Sequence, residues 1–145
     1  MQEYTELKDR IKEHEGYRNT VYSDSLGFAT IGYGHLVLEN DPYVEGVDYS
    51  RDLLDQEFDK DFANAVVGAE RILGNHDMNF KAKCVIIEMV FQLGMTGVSK
   101  FVNCLKAIKE EDWDTAADEM LDSKWAKQTP ERANELSSII RSCKL

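Results

Sequence analysis

The stretch from Glu15 to His35 constrains the fold of this chain most, because its pattern changes there from helical to extended. It reads E-G-Y-R-N-T-V-Y-S-D-S-L-G-F-A-T-I-G-Y-G-H. Upstream of it, apolar residues three and four positions apart predict a helix over about 3–14, which Gly16 is suited to end. Residues 21–22 and 28–31 then have the composition of short strands, with turn residues between them. We therefore predict a helix followed by a small β unit.

Two carboxylates lie at the joints of this stretch, Glu15 on the last helical turn and Asp24 at the hairpin. The negative end of the helix dipole disfavours the charged form of Glu15, so its carboxyl group is suited to hold and donate a proton. Taken singly, Glu15 is an ordinary solvated residue at a helix end, and Asp24 is an ordinary hairpin aspartate. As a pair flanking a β unit, they suit the cleavage of a glycosidic bond.

The rest of the chain is helical in pattern. Ser50 is a suitable N-cap for a long helix that Gly74 ends, and about 24 residues at 1.5 Å each give roughly 36 Å. Residues 36–49, with a turn signal at Asp41-Pro42, predict a loop or irregular strand. The remaining predicted helices cover about 80–93, 96–108, 112–121 (capped by Asp112 or Asp114) and 130–141 (after Thr129-Pro130).

The predicted fold class is α+β, mainly α. We expect one domain over 1–145, in which residues about 15–58 form a β-containing lobe. Residues 75–145 together with the N-terminal helix form an all-α lobe. The helix over about 50–74 is too long for one small lobe to cover, so it connects the two.

Composition narrows the class of partner. The net charge of −10 argues against nucleic acid, whose binding proteins carry basic patches. No apolar run reaches the ~20 residues of a membrane span, and residues 1–6 lack the features of a signal peptide. Cys84, Cys104 and Cys143 are most simply free buried thiols. The scattered His14, His35 and His76 form no ligand motif, so we expect no metal.

A longer pattern now emerges, E-G-(x)5-Y-x-D-x-x-G-x-x-T-I-G-x-G-H, beginning at Glu15. Further motifs follow in order: M-V-F-Q-L-G at 89–94, T-G-V at 96–98, W-D-x-A-A at 113–117, and Trp125 before Q-T-P-x-R-A at 128–133. Together they resemble the phage-type lysozyme (endolysin) family, and within it the T-even coliphage branch. The resemblance covers nearly the whole chain and implies a lysozyme-like fold of two lobes.

The resemblance also implies catalytic roles. Glu15 would protonate the leaving oxygen, while Asp24 and Thr30 would hold the attacking water. This division of labour is inverting hydrolysis, which needs the two carboxyl groups about 6.5–9.5 Å apart. No cofactor is implied.

The family pattern further suggests residues that contact substrate and residues that support the site. The implied substrate contacts are Leu36, Phe91, Gln92, Cys104 and Glu119. The last two depart from the family, which has a serine and an asparagine there. Arg132 matches an arginine that pairs with the catalytic glutamate, and His35 and Asp61 match an ion pair.

The expected function is a muramidase that cleaves the β-1,4 bond between N-acetylmuramic acid and N-acetylglucosamine in peptidoglycan, for lysis of a phage host. We expect a monomer that stays in the host cytoplasm until a holin-type pore releases it to the wall, without inserting into a membrane. Two alternatives stay open: a non-catalytic wall-binding or tail-baseplate component, and a chitinase-like glycosidase. A pure binder needs none of Glu15, Asp24 and Thr30, so their presence favours the enzyme.

Overall fold

The structure is a computed structural model that describes residues 4–24, 26–74 and 78–144. Its strands are β1 (Arg18–Ser23), β2 (Ala29–Gly32) and β3 (His35–Leu36). Its helices are α1 (Thr5–Glu15), α2 (Arg51–Leu73), α3 (Phe80–Ser99), α4 (Val102–Lys109), α5 (Trp113–Leu121), α6 (Lys124–Gln128) and α7 (Pro130–Arg141). The predicted α+β, mainly α fold is confirmed.

The chain divides into two compact units, Met1–Asn64 and Ala65–Leu145, at a boundary inside α2. The first unit contains α1, the sheet and the start of α2, and the second contains the end of α2 with α3 to α7. The predicted arrangement as one domain, with α1 grouped with the C-terminal helices, stays a prediction.

The sheet is antiparallel in the order β1-β2-β3. Its register places Tyr22 opposite Thr30, and Thr30 opposite Leu36. Directly opposed residues lie on the same face of a sheet, so these three side chains form one row across the strands. Residues 36–49, predicted as a loop or irregular strand, contribute Leu36 to β3, and the other residue of that strand, His35, lies in the predicted β unit.

The first unit is held by a small apolar core. Ile31 of β2, Tyr43 of the loop and Leu54 of α2 are buried together. The Tyr4 ring packs edge-on against Phe62 with ring centroids 5.6 Å apart. Burial of such side chains stabilises by roughly 1.5–3 kcal/mol each, which ties the loop and α2 to the sheet.

The predicted ends of α1 and α2 are confirmed. Gly16 has a φ of 72° and its N–H donates to the carbonyl of Lys12, which closes α1 directly after Glu15. The hydroxyl of Ser50 accepts the N–H of Leu53 at 3.2 Å, as expected for the N-cap of α2. Gly74, with a φ of 73°, follows the last residue of α2.

Helix α3 is the centre of the second unit. Val85, Ile86, Ile87 and Met89 are fully buried. Among the described helices, only α3 is long and apolar enough to cross a membrane, but these residues are buried inside the unit. We therefore interpret α3 as a core helix.

The predicted helix over 96–108 is wrong in its boundaries. Gly94 interrupts α3 with a φ of 79° and a ψ of 163°, the helical turn after this kink ends at Ser99, and α4 begins only at Val102. A residue with positive φ breaks the helix but does not prevent a further turn after it. Asp112 caps α5 through the N–H of Thr115, as predicted.

The last two helices follow each other closely. The short helix α6 was not predicted, and its cap is Ser123, whose hydroxyl accepts the N–H of Ala126. Helix α7 starts at Pro130 as predicted, although the Thr129 hydroxyl donates to the Trp125 carbonyl instead of capping α7.

Candidate active site

Glu15 is positioned by the end of α1 and by a glycine on the turn between β2 and β3. Gly34 has a φ of 75°, and a Cβ at this position would overlap the Glu15 carboxyl group. The carboxyl group therefore rests against the bare backbone of the turn. Only glycine combines that close approach with that backbone conformation without strain.

Asp24 builds the turn that follows β1. Its Oδ1 accepts the N–H of Leu26 at 2.9 Å and the N–H of Phe28 at 2.8 Å. No hydrogen bond joins Oδ2 to any other residue in the described part of the chain. One oxygen therefore fixes the orientation of the carboxylate while the other remains available to a water molecule or a substrate.

Thr30 is buried in β2, with 4% of its surface exposed. Its hydroxyl donates to the Phe28 carbonyl at 2.9 Å. Because the proton is directed to that carbonyl, the lone pairs of Oγ1 can still accept a hydrogen bond from a small molecule. The same Phe28 contributes its N–H to Asp24, so the two predicted site residues share one anchoring residue.

Tyr22 belongs to the same site and was not predicted. Burial raises the pKa of its phenol, and the negative charges of Glu15 and Asp24 raise it further, against the opposing effect of Arg18. The phenol therefore stays protonated and can donate a hydrogen bond. The sequence contains a signal for it, because Tyr22 is one of the fixed residues of the pattern that begins at Glu15, two positions before Asp24.

Leu36 lies opposite Thr30 on β3 and is 47% exposed. An exposed leucine beside a buried polar residue suits contact with the apolar face of a ligand. The structure thus brings Leu36 together with Thr30 and Tyr22. Its role as a substrate contact stays a prediction.

His35, the residue before Leu36, lies between carboxylates on both sides of its ring. Its Nδ1 is 2.7 Å from Asp61 Oδ2, and its Nε2 is 2.9 Å from Asp41 Oδ2. Burial alone would lower the pKa of His35, but the hydrogen bonds to Asp61 and Asp41 and the charges of Asp61 and Glu57 outweigh burial and raise it to about 9. The predicted contact between His35 and Asp61 is present, and Asp41 is a second, unpredicted partner.

One ligand atom from each of His35, Glu57 and Asp61 lies within 4.8 Å of the others, a spacing that could hold a metal ion. Both ring nitrogens of His35 already face carboxylate oxygens, and a histidine protonated on both nitrogens has no lone pair for a metal. Tyr43 donates to the same Glu57 at 2.8 Å. The donor set therefore fits an ion-pair network around an imidazolium.

The predicted substrate contacts in the second unit are Phe91, Gln92, Cys104 and Glu119. Cys104 and Glu119 line one cavity of about 400 Å³, together with Phe101 and Trp125. The indole N–H of Trp125 donates to Gln92 at 2.8 Å, so Gln92 orients a wall of this cavity. The predicted substrate contacts of Phe91, Gln92, Cys104 and Glu119 stay predictions.

Arg132 has a partner that was not predicted. Its Nε donates to Glu88 at 2.8 Å, and both side chains are buried in the second unit. A buried arginine and a buried carboxylate require each other, since either one alone would be a costly uncompensated charge. The predicted pairing of Arg132 with Glu15 stays a prediction.

Comparison of the sequence with known protein families identifies the family of this chain. The family model described as phage lysozyme matches residues 12–141. The chain belongs to the phage lysozyme family. Membership makes it an enzyme, a glycosidase of the lysozyme type.

The chain is also similar to several individual proteins. The chain is 33% identical over 161 residues to the "Probable T4-type lysozyme 2" of Dictyostelium discoideum, with 94% of each protein covered. It is 27% identical to the "Pre-baseplate central spike protein Gp5" of Enterobacteria phage T4, over 92% of this chain and 27% of that protein. It is also 26% identical to the "Peptidoglycan hydrolase gp36" of Pseudomonas phage phiKMV, over 87% of this chain and 14% of that protein.

Proposed function

We propose that this phage lysozyme family member cleaves the β-1,4 bond between N-acetylmuramic acid and N-acetylglucosamine in bacterial peptidoglycan, with inversion at the anomeric carbon. The observation that carries the proposal is the carboxylate of Asp24, which has one oxygen bonded to two backbone N–H groups and the other available. Such a fixed and half-satisfied carboxylate suits a base that orients water. The peptidoglycan hydrolase among the relatives supports the choice of substrate.

The first half of the proposed reaction belongs to Glu15. Its protonated carboxyl group donates a proton to the glycosidic oxygen as the bond from that oxygen to the anomeric carbon breaks. The position of Glu15 at the negative end of α1 favours the protonated form, and the backbone at Gly34 holds the group in place.

The second half belongs to Asp24 and Thr30. Asp24 accepts a proton from water as the water oxygen attacks the anomeric carbon from the opposite face of the sugar. Thr30 accepts a hydrogen bond from the same water through Oγ1, whose own proton is directed to Phe28. The products are a sugar with inverted anomeric configuration and a new hydroxyl on the leaving sugar. Acid, water and carboxylate suffice for this mechanism.

The proposed biological role is lysis of a bacterial host by a monomeric enzyme that leaves the cytoplasm through a holin-type pore. This role rests on the resemblance to endolysins. The alternative role in a tail baseplate draws on the spike protein among the relatives, of which this chain covers only 27%.

Incubation with purified peptidoglycan tests the proposal. We expect new reducing ends on N-acetylmuramic acid, and NMR of the first product formed should show the inverted anomer. Release from chitin but not from peptidoglycan would identify a chitinase instead. Binding to peptidoglycan with no reducing ends would identify a wall-binding protein.

A further inference from the structure

The cavity in the second unit has an apolar wall, and the carboxylate of Glu119 lies among its lining residues. Leu93, Phe101, Val102 and Trp125 supply the apolar surface. Glu119 of α5 lines the same cavity and is half-buried. Its volume of about 400 Å³ falls in the range of small-molecule sites and can admit a side chain of the substrate.

Glu119 and the buried Cys104 line the same cavity. Cys104, with 1% of its surface exposed, has a pKa that burial raises and that the charge of Glu119 raises further, to about 12. The thiol therefore stays protonated, and it cannot neutralise the carboxylate.

Glu119 also has no ion-pair or hydrogen-bond partner for its side chain in the part of the chain that the structure describes. Lys100 and Lys124 line the cavity too, but both are exposed and lie beyond ion-pair distance of Glu119. A partly shielded carboxylate without a cation favours a positively charged ligand, since a shielded pair is screened less than an exposed one.

We propose that Glu119 is a specificity-determining residue that binds an ammonium group on an aliphatic arm, namely the side-chain amine of the diamino acid in the wall's stem peptide. The apolar wall complements the methylene groups, and the aromatic rings can face the cation. An amine attached directly to a sugar ring lacks such an arm and fits this lining less well. The proposal rests on the proposed function, because it concerns another part of the same substrate.

Acetylation of the substrate provides the test, because acetic anhydride converts free amines to neutral amides. Initial rates of reducing-end release are measured on native peptidoglycan and on the acetylated preparation. For the wild type, kcat/KM should fall by about two- to fivefold on acetylation, as expected for loss of one partly shielded ion pair. For Glu119→Gln it should already be lower by that factor on native substrate, and acetylation should change it no further.

Glu110→Gln is the matched control, because it removes the same charge from an exposed residue that does not line the cavity. It should respond to acetylation as the wild type does. If circular dichroism shows that Glu119→Gln is unfolded, Glu119→Ser replaces it in the same comparison. Equal sensitivity of wild type and the folded Glu119 variant to acetylation would overturn the proposal.

A third arm uses glycan strands freed of their peptides by an amidase. If acetylation still slows the wild type on these strands, the ammonium lies on the sugar and the stem-peptide assignment is wrong. Absence of reducing ends from every substrate would instead refute the proposed function. The two failures are therefore distinguishable.

Discussion

The first unit contains acidic side chains in two settings, around His35 and at Asp24, that differ in how their charge is satisfied. Around His35, the carboxylates of Asp41 and Asp61 each meet a ring nitrogen within hydrogen-bond distance. At Asp24, one oxygen is bonded to the backbone and the other has no partner among the described residues. The comparison teaches that a closed network contributes stability, whereas an incompletely satisfied carboxylate leaves a position for water and hence for chemistry.

The largest effect is expected from Glu15→Gln. The amide cannot donate the proton that the leaving oxygen needs, so turnover should fall by about 10³-fold or more while the fold persists. Reducing-end assays with a circular dichroism control measure both quantities. Activity within tenfold of the wild type would exclude Glu15 as the general acid.

Asp24→Asn should come next, with a loss of about 10²- to 10³-fold in kcat. The asparagine oxygen can still accept the N–H groups of Leu26 and Phe28, so the melting temperature should change little. Asp24→Ala supplies the contrast, since it removes both the base and the turn. If Asp24→Asn lost as much stability as Asp24→Ala, the turn would depend on the charge of Asp24 instead of its oxygen.

Gly34→Ala should reduce activity by about 10- to 100-fold, because a displaced catalytic group is costly in rate. The matched control is Gly46→Ala, at a similar positive φ of 85° but with no atom within 4 Å of the added Cβ. Both variants should lose stability through backbone strain, and only Gly34→Ala should lose activity. Equal activities in the two variants would show that contact with Glu15 does not matter.

His35→Asn should leave the catalytic groups in place and cost stability, by roughly 1–3 kcal/mol at pH 5.5, since each pKa unit corresponds to about 1.4 kcal/mol. The pKa of His35 is raised from 6.5 to about 9 by folding. Its contribution is therefore full below about pH 6.5 and is lost as the pH rises through 9. Urea unfolding of wild type and variant at pH 5.5 and pH 9.5 should show the difference shrinking.

A double-mutant cycle of His35→Asn with Asp61→Asn measures how much of this stability comes from the contact between His35 and Asp61. A second cycle, with Asp41→Asn, measures the contribution of the contact on the other side of the imidazole ring. Burial alone would raise the pKa of Asp41. The hydrogen bond from the Leu38 N–H, together with the hydrogen bond and the charge of His35, outweighs burial and lowers this pKa. Its contribution is therefore present above its unfolded pKa and lost as the pH falls through the folded value. Additive single and double mutants at pH 5.5 would contradict the network.

The smallest effect concerns salt. With a net charge of −10, the enzyme is repelled by an anionic wall, and the Debye length falls from about 30 Å at 0.01 M to about 8 Å at 0.15 M. The rate on peptidoglycan should therefore rise by about twofold across this range. Short soluble glycan fragments, which carry far less charge than the intact wall, are the control and should show a much smaller rise. A rate on wall that falls steadily with salt would point to a local basic surface.

The helix ends and two of the candidate site residues could be predicted from the sequence, because residues at the ends of helices and strands have strong local preferences. Gly16, Ser50 and Gly74 bound helices in the sequence as they do in the structure. Glu15 and Asp24 were candidates for the same reason, since each lies directly at the end of an element.

The remaining features depend on tertiary register, which local patterns do not contain. Asp41 lies in a loop, and nothing in the residues around it indicates that its side chain contacts His35. The row of Tyr22, Thr30 and Leu36 depends on strand pairing. Glu88 is different, because a lone carboxylate within the apolar run of α3 indicates a buried cationic partner, which Arg132 supplies.

The turn at Asp24 has a consequence for how this family can diverge. The Asp24 side chain that would activate water also accepts the two N–H groups that hold the turn. Most replacements of Asp24 would therefore destabilise the turn as well as abolish catalysis. Asparagine is the exception, since it keeps the accepting oxygen, and a single nucleotide change converts either aspartate codon to an asparagine codon. A descendant that binds cell wall without cutting it therefore has a short mutational path through this position. An asparagine at the position of Asp24, beside an intact turn, is the mark by which such a descendant could be recognised in a genome.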